Sequence, residues 1–162
     1  MDLNQKYGIH GAYQNHAGAR VGGPVWDLYE LLRGFDPRWI GCQYDVRHAV
    51  IEGFNSWPVG MRLLHPWIKC TDVKDFTWVR SAAGQWSAES VPVGEGAVDF
   101  DAYFTLIREL GIGGPICVHF EYPPFERAAQ GLSAAEKRRL CAAAMRKDLA
   151  ALKGYLAKYQ IA

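Results

Sequence analysis

The chain has 162 residues, of which 49% are hydrophobic and 22% charged, a composition typical of one globular domain with its own core. Its 18 basic and 17 acidic residues leave a formal net charge of +1, which gives no support to binding of nucleic acid or of an anionic membrane surface. The apolar runs are too short to span a membrane, and the first residues lack the apolar segment of a signal peptide. We therefore expect a cytoplasmic protein.

The first half of the chain alternates predicted strands and helices. Pro24 suits the first turn of a helix, Gly34 suits a helix C-terminus, and a helix before Pro66 has to stop there. The predicted elements are a strand over 8–13, a helix over 22–34, a strand over 38–45 and a helix over 56–66.

The second half continues the alternation after a long predicted loop. Asp99 is a suitable N-cap before apolar residues at helical spacing, and Ser133 with Glu136 forms an S-x-x-E capping box. The predicted elements are a strand over 67–75, a loop over 77–98, a helix over 99–111, a strand over 114–123 and a helix from 133 towards 160.

The resulting order, β-α-β-α-β-α-β-α, predicts an α/β fold with a parallel sheet and right-handed crossovers. Since no linker or low-complexity stretch interrupts the chain, we predict one domain over residues 1–162.

The four cysteines are interpreted as structural thiols. They lie at positions 42, 70, 117 and 141, and no pair has C-x-x-C spacing. Three of them fall in apolar runs typical of strands, so we expect buried thiols in a reducing compartment.

Each predicted strand ends in polar side chains. The terminal residues are Gln14, Asp45, Asp72 and Glu121. Because parallel strands share one carboxyl edge and their side chains alternate, these four are expected on one face at one rim, with Asp72, for example, on the side of Cys70 and Ile68. Three carboxylates and an amide oxygen, with histidines nearby, suit Mn, Mg, Co or Zn.

Each of these residues alone also has an ordinary structural explanation. Gln14 could close a turn, Asp45 could cap the next turn, and Asp72 could belong to a solvated face. Glu121 is the hardest to explain in this way, because it ends an apolar strand where a lone carboxylate is costly to bury. The coincidence of four such ends favours a functional site.

Five segments carry a family resemblance: YQNHAG, WDLYELL, YDVRHAVIEG, IKCTDVKDF and PVGEGAVDFDAYFTLIRELGIGGPICVHFEYP. Over nearly all of residues 5–125 the chain resembles the sugar phosphate isomerase/epimerase family of the xylose-isomerase-like (β/α)8 barrel superfamily. The resemblance implies a metal held at strand ends five to eight of the barrel. It also implies interconversion of aldoses and ketoses, or of epimers, by proton transfer.

Transferred to this sequence, the resemblance and the strand ends assign three groups of residues. The metal ligands are Gln14, Asp45, Asp72 and Glu121. The catalytic residues are Glu121, His48, His16 and Lys74. The substrate-binding residues are Asn15, His16, His48, Glu52, Lys74 and Glu95.

Two departures bear on the function. Gln14 stands where many members have a metal-binding glutamate or histidine, and Asp72 stands where many have a histidine. Four βα units match only the C-terminal half, strands five to eight, of an eight-unit barrel. The sheet is therefore expected to be completed by self-association, as a homodimer or higher homo-oligomer, or by a missing N-terminal half.

The sequence thus predicts a divalent-metal-dependent isomerase or epimerase acting on a sugar, sugar phosphate or polyol, with no nucleic-acid or membrane partner. The alternatives are a weak or inactive carbohydrate-binding relative, favoured by Gln14, and a half-barrel whose main property is oligomerisation.

Overall fold

A computed structural model describes residues 1–121 and 131–161 of the chain. They group into two compact units. The first comprises Met1–Asp72 and Thr105–Cys117, and the second comprises Val73–Phe104 and Val118–Ala162. The expectation of a single domain stays a prediction.

The helices of the described residues are α1 (Asp2–Tyr7), α2 (Val25–Leu32), α3 (Val46–Gly53), α4 (Trp57–Leu64), α5 (Phe100–Glu109) and α6 (Ala134–Tyr159). The strands are β1 (Gly11–Gln14), β2 (Ile40–Asp45), β3 (Ile68–Val73), β4 (Asp75–Arg80), β5 (Trp86–Val91) and β6 (Ile116–Val118).

The first unit contains a parallel sheet in the order β1-β2-β3-β6, apart from the final residues of β3 and β6. Helices alternate with these strands along the chain, so the predicted α/β class is confirmed. Strand β6 is shorter than its predicted range 114–123, and the last two predicted residues, Tyr122 and Pro123, lie outside the described residues.

One irregularity in β3 changes which residues share a face. Cys42 pairs with Ile68, whereas the next residue, Gln43, pairs with Cys70, so β3 carries one extra residue between these pairs. Because paired residues of parallel strands face the same way, Ile68 lies with Cys42, and Cys70 lies with Gln43. The prediction that Ile68 shares the face of Asp72 is wrong, because the bulge breaks the alternation on which it rested.

The core of the first unit lies under helices α2, α3 and α4, of which α4 packs against both α2 and α3. Its fully or nearly fully buried members include Leu28, Leu32, Tyr44, Met61 and Leu64. Burial of one such side chain contributes about 1.5–3 kcal/mol. Helix α3 was not predicted, although it begins directly after β2 and Asp45 is its N-cap.

The second unit contains an antiparallel hairpin in which β4 pairs with β5. Residues 77–98 were predicted as a loop, and this is wrong for 77–80, which belong to β4, and for 86–91, which form β5. The two strands are connected through residues 81–85, where Ser81 N–H donates to the Gln85 carbonyl at 2.8 Å and Gly84 has a φ of 81°. Glycine adopts this left-handed backbone conformation more easily than residues that carry a side chain.

Aromatic residues form the core of the second unit. Phe104 stacks on Tyr155 of α6 at a ring distance of 5.2 Å, and Phe100 lies 5.4 Å from the same ring. Helix α6 begins at the predicted capping box, since Glu136 N–H donates to Ser133 Oγ and the Glu136 carboxylate accepts from Ser133 N–H at 2.8 Å.

A search of the helices in the described parts of the chain finds none with the length and apolar content needed to cross a membrane.

Candidate functional site

Asp45 is the residue around which the polar groups of the first unit are arranged. It ends β2 and caps α3, because its Oδ1 accepts from the His48 backbone N–H at 3.2 Å. Its Oδ2 accepts from Gln14 Nε2 at 3.0 Å, and its side chain is fully buried. A buried carboxylate needs such donors, because it has lost its hydrogen bonds to water.

Asp72 ends the neighbouring strand and is paired with Asp45 in the sheet register. Gln43 Nε2 donates to Asp72 Oδ2 at 2.7 Å, and Asp72 is fully buried. A carboxylate oxygen of each aspartate lies within 4.8 Å of the other. Two buried negative charges this close repel each other, so the pair suits a cation.

Gln14 enters this arrangement as a hydrogen-bond donor. Its Nε2 donates a hydrogen bond to Asp45 Oδ2, which is one of the two oxygens that Asp45 could offer to an ion. The structure therefore brings the predicted ligands Gln14, Asp45 and Asp72 together, and their role as metal ligands stays a prediction.

His48 and His16 form a stacked pair with ring centroids 3.9 Å apart. His48 Nε2 lies 3.6 Å from Asp45 Oδ2, and Arg47 Nη1 lies 3.5 Å from His48 Nδ1. Because arginine only donates, His48 Nδ1 is the acceptor side of this contact, and His48 Nε2 is the ring nitrogen on the side of Asp45. Arg47 was not predicted, and its position one residue before His48 was the signal that could have found it.

The loop after β1 is attached to α3 through Glu52. The Glu52 Oε1 atom accepts from the Gly18 N–H at 2.7 Å. His16 Nδ1 lies 3.0 Å from the Ala17 carbonyl in the same loop. The predicted substrate-binding residues His16, His48 and Glu52 thus lie on connected elements of the first unit.

Lys74 and Glu121 form an ion pair in the second unit. Their Nζ and Oε2 atoms are 2.9 Å apart, and His119 Nδ1 is 3.6 Å from Glu121 Oε1. The Lys74 side chain is 3% exposed and that of Glu121 is 50% exposed. A buried ammonium beside Glu121 favours the ionised carboxylate, which is the form that can accept a proton.

Glu95, the other predicted substrate-binding residue of the second unit, is half exposed and paired with Lys147. Its loop is organised by Asp75, whose carboxylate accepts from the N–H groups of Gly94 at 3.0 Å and Gly96 at 2.8 Å. The Asp75 carboxylate also accepts from Phe76 and Val98. Burial raises the pKa of Asp75, and these four donors oppose that rise.

The cysteines differ in burial, contrary to the prediction that all are buried. Cys42 is buried, Cys70 and Cys141 are partly buried, and Cys117 is exposed. Burial raises the pKa of the Cys42 thiol, and burial together with the Asp72 carboxylate raises that of Cys70. Cys117 is on the short strand β6, where the sequence predicted a longer covered strand.

A parallel sheet whose strands alternate with helices defines this chain as an α/β protein, and polar residues end several of its strands. The chain belongs to the xylose isomerase-like TIM barrel family, whose model matches residues 1–140. Among curated proteins, none is similar enough in sequence to count as a match.

Solved structures of similar fold support the same architecture. The xylose isomerase domain protein from Planctomyces limnophilus matches with a TM-score of 0.68 and 20% identity, over 99% of this chain and 52% of that one. The IOLI protein, solved with a binding zinc atom, matches with a TM-score of 0.69 and 20% identity, over 98% and 52%. L-ribulose 3-epimerase matches with a TM-score of 0.68 and 13% identity, over 96% and 50%.

The chain therefore spans about half the length of these structural relatives. At these identities the similarity establishes the fold. The four strands of the sheet agree with the predicted half of a (β/α)8 barrel.

Proposed function

We propose that this protein is a divalent-metal-dependent isomerase or epimerase acting on a sugar, sugar phosphate or polyol. The observation that carries the proposal is the buried pair Asp45 and Asp72, whose carboxylate oxygens lie within 4.8 Å of each other at neighbouring strand ends. The proposal is supported by the family and by the zinc and the epimerase named for two structural relatives.

The residues present fit a hard or borderline divalent cation. Asp45 and Asp72 would hold it through carboxylate oxygens, which suit Mn, Mg, Co and Zn. When bound, the ion would polarise a carbonyl or hydroxyl oxygen of the substrate. Gln14 and Glu121 complete the ligand set predicted from the sequence.

In the proposed reaction Glu121 would accept a proton from a substrate carbon next to a carbonyl or hydroxyl group. Lys74 holds Glu121 in its ionised form until it accepts that proton. His48 or His16 serves as the second proton-transfer group, because an imidazole can donate and accept near neutral pH. Asn15, Glu52 and Glu95 stay predicted substrate-binding residues.

Metal binding is tested by titrating Mn²⁺ into the chain in a calorimeter. We expect wild-type binding and its loss in Asp72→Asn, which keeps the shape of the side chain and removes its charge. Asp36→Asn is the matched control, because Asp36 belongs to the same unit but pairs with Arg38 at the surface. Equal Mn²⁺ affinity in wild type and Asp72→Asn would contradict the proposal.

Catalysis is tested by incorporation of solvent deuterium into a panel of aldoses and ketoses with Mn²⁺ or Co²⁺. We expect slow exchange that Glu121→Gln abolishes. Glu109→Gln is the matched control, since Glu109 pairs with Arg62 at 3.0 Å and is 51% exposed, close to the 50% of Glu121. Exchange that survives Glu121→Gln would show that the base is misassigned.

A carbohydrate-binding relative without activity is the second candidate. It is favoured by Gln14, whose amide donates to Asp45 Oδ2 and cannot act as a base. Sugar binding without deuterium exchange, with intact Mn²⁺ binding, would support this candidate.

We also propose self-association of the chain. In the described part of the sheet, β1 and β6 are the outer strands, and unpaired outer strands favour pairing with another chain. A twofold homodimer is the default arrangement. Light scattering that gives a monomer mass at micromolar concentration would contradict it. The cytoplasmic location expected from the sequence stays a prediction.

A further inference from the structure

Both polar groups of the Asn15 side chain are bound to the backbone of Asp45. The Asp45 N–H donates to Asn15 Oδ1 at 2.7 Å, and Asn15 Nδ2 donates to the Asp45 carbonyl at 2.9 Å. Asn15 is fully buried. A side-chain amide that makes both bonds to one residue supplies the donor and the acceptor that a residue of a neighbouring strand supplies in a hydrogen-bonded pair of an antiparallel ladder.

This pair continues the sheet beyond the end of a strand. The last paired residues of β1 and β2 are Gln14 and Gln43. After Gln14 the backbone leaves the sheet, and the Asn15 side chain takes the place of the missing strand opposite Asp45. The Asn15 side chain therefore holds the backbone of Asp45 on its β1 side, beyond the last residue of β1.

We propose that Asn15 is a positioning residue for the Asp45 carboxylate. With the backbone of Asp45 fixed, its Oδ1 meets the His48 N–H at 3.2 Å and its Oδ2 meets Gln14 Nε2 at 3.0 Å. The effect of Asn15 on metal affinity rests on the proposed function, whereas its effect on the orientation of Asp45 does not. The proposal assigns Asn15 a different role from the substrate binding predicted from the sequence.

Asn4 provides a matched control within the same unit. Its Nδ2 donates to the Trp39 carbonyl at 2.8 Å, next to the beginning of β2. Asn4→Asp and Asn15→Asp thus each replace an amide donor to a backbone carbonyl by a carboxylate. Only Asn15→Asp does so next to Asp45.

Two measurements are made on the full chain. The first is hydrogen exchange of the His48 backbone amide by NMR in EDTA, which reports the bond to Asp45 Oδ1 without any metal. The second is calorimetric titration with Mn²⁺. We expect both Asn15→Asp and Asn15→Ala to speed His48 exchange. Asn15→Ala, which adds no charge beside Asp45, should also raise the Mn²⁺ Kd at least about tenfold, which corresponds to about 1.4 kcal/mol. In Asn4→Asp the exchange rate and the Kd should both stay within about twofold of wild type.

Asn15→Ala is measured in parallel, because it removes both bonds without adding a charge. Unchanged His48 exchange in folded Asn15 variants would overturn the proposal, as would faster exchange with an unchanged Mn²⁺ Kd in Asn15→Ala. A failure of both Asn15 variants to fold would also count against it, because a general structural role would then suffice. If the wild type binds no Mn²⁺, the proposed metal site fails, and His48 exchange alone decides whether Asn15 positions Asp45.

Discussion

Replacement of Asp72 by asparagine is expected to have opposite effects on stability with and without metal. Carboxylate oxygens of Asp45 and Asp72 lie within 4.8 Å of each other, and both residues are fully buried. Two unit charges 4.8 Å apart repel by about 3.5 kcal/mol at an effective dielectric constant of about 20, and a shorter separation raises this value. Hydrogen bonds from Gln14 and Gln43 offset part of that cost.

In metal-free protein, Asp72→Asn removes the repulsion and keeps a side chain whose oxygen can still accept from Gln43. We therefore expect the free energy of unfolding to rise by about 1–2 kcal/mol in EDTA. With Mn²⁺ at 100 times its Kd, the wild type gains about 2.7 kcal/mol from binding, and the variant gains little. The order of stability should then reverse.

Urea unfolding followed by circular dichroism, in EDTA and in Mn²⁺, measures both effects. Asp36→Asn should behave as wild type in both buffers, because Asp36 pairs with Arg38 on the surface. If Asp72→Asn lowers stability by the same amount in both buffers, the two carboxylates do not form a cation site, and the charge argument is wrong.

Two further predictions concern close packing and thiol burial within the individual units. Gly96→Ala should lower the free energy of unfolding by about 1–3 kcal/mol, because a Cβ at residue 96 would lie 2.3 Å from the Phe76 carbonyl oxygen. Gly113→Ala is the control and should be tolerated, because a Cβ at residue 113 meets no atom within 4 Å. Similar losses of stability for the two variants in urea unfolding would contradict this prediction. Iodoacetamide at pH 8 should modify Cys117 well before Cys42, whose thiol is buried and has a raised pKa, and mass spectrometry showing equal rates would contradict that burial.

The order of strands and helices along the chain was predictable because its signals are local. Proline and glycine mark the helix ends, and apolar runs mark the strands, so the alternation of strands and helices follows from short segments. The position of Asp45 and Asp72 at neighbouring strand ends followed from the same alternation and is confirmed by the register. The capping box at Ser133 was equally local.

What could not be predicted depends on contacts between distant residues. The bulge in β3 is set by pairing with β2, and it moved Ile68 to the face of Cys42. The hairpin of β4 and β5 was missed because the segment between the third predicted strand and the helix from 99 contains Pro92, Gly94 and Gly96, which are typical of a loop. The role of Asn15 depends on Asp45, which is thirty positions away, so that only the folded structure reveals it.

The variant Gln14→Glu tests how a carboxylate in place of the Gln14 amide changes the stability and the Mn²⁺ affinity of the site. In the wild type, Gln14 Nε2 donates to Asp45 Oδ2 at 3.0 Å, and this donor would be replaced by a third negative charge. The metal-free variant should therefore be less stable than the wild type, because it gains repulsion and loses a hydrogen bond. It should bind Mn²⁺ more tightly, since an additional carboxylate increases the charge of the site.

The same change supplies a second proton-transfer group. For any substrate on which the wild type shows solvent-deuterium exchange, we therefore expect faster exchange in Gln14→Glu. Gln43→Glu is the matched control, because Gln43 donates in the same way to Asp72 but was not among the predicted metal ligands. Tighter Mn²⁺ binding with faster exchange only in Gln14→Glu would identify Gln14 as the position that limits catalysis. If both variants bind Mn²⁺ more tightly and neither exchanges, added charge accounts for the affinity, and the carbohydrate-binding function is the better description of this protein.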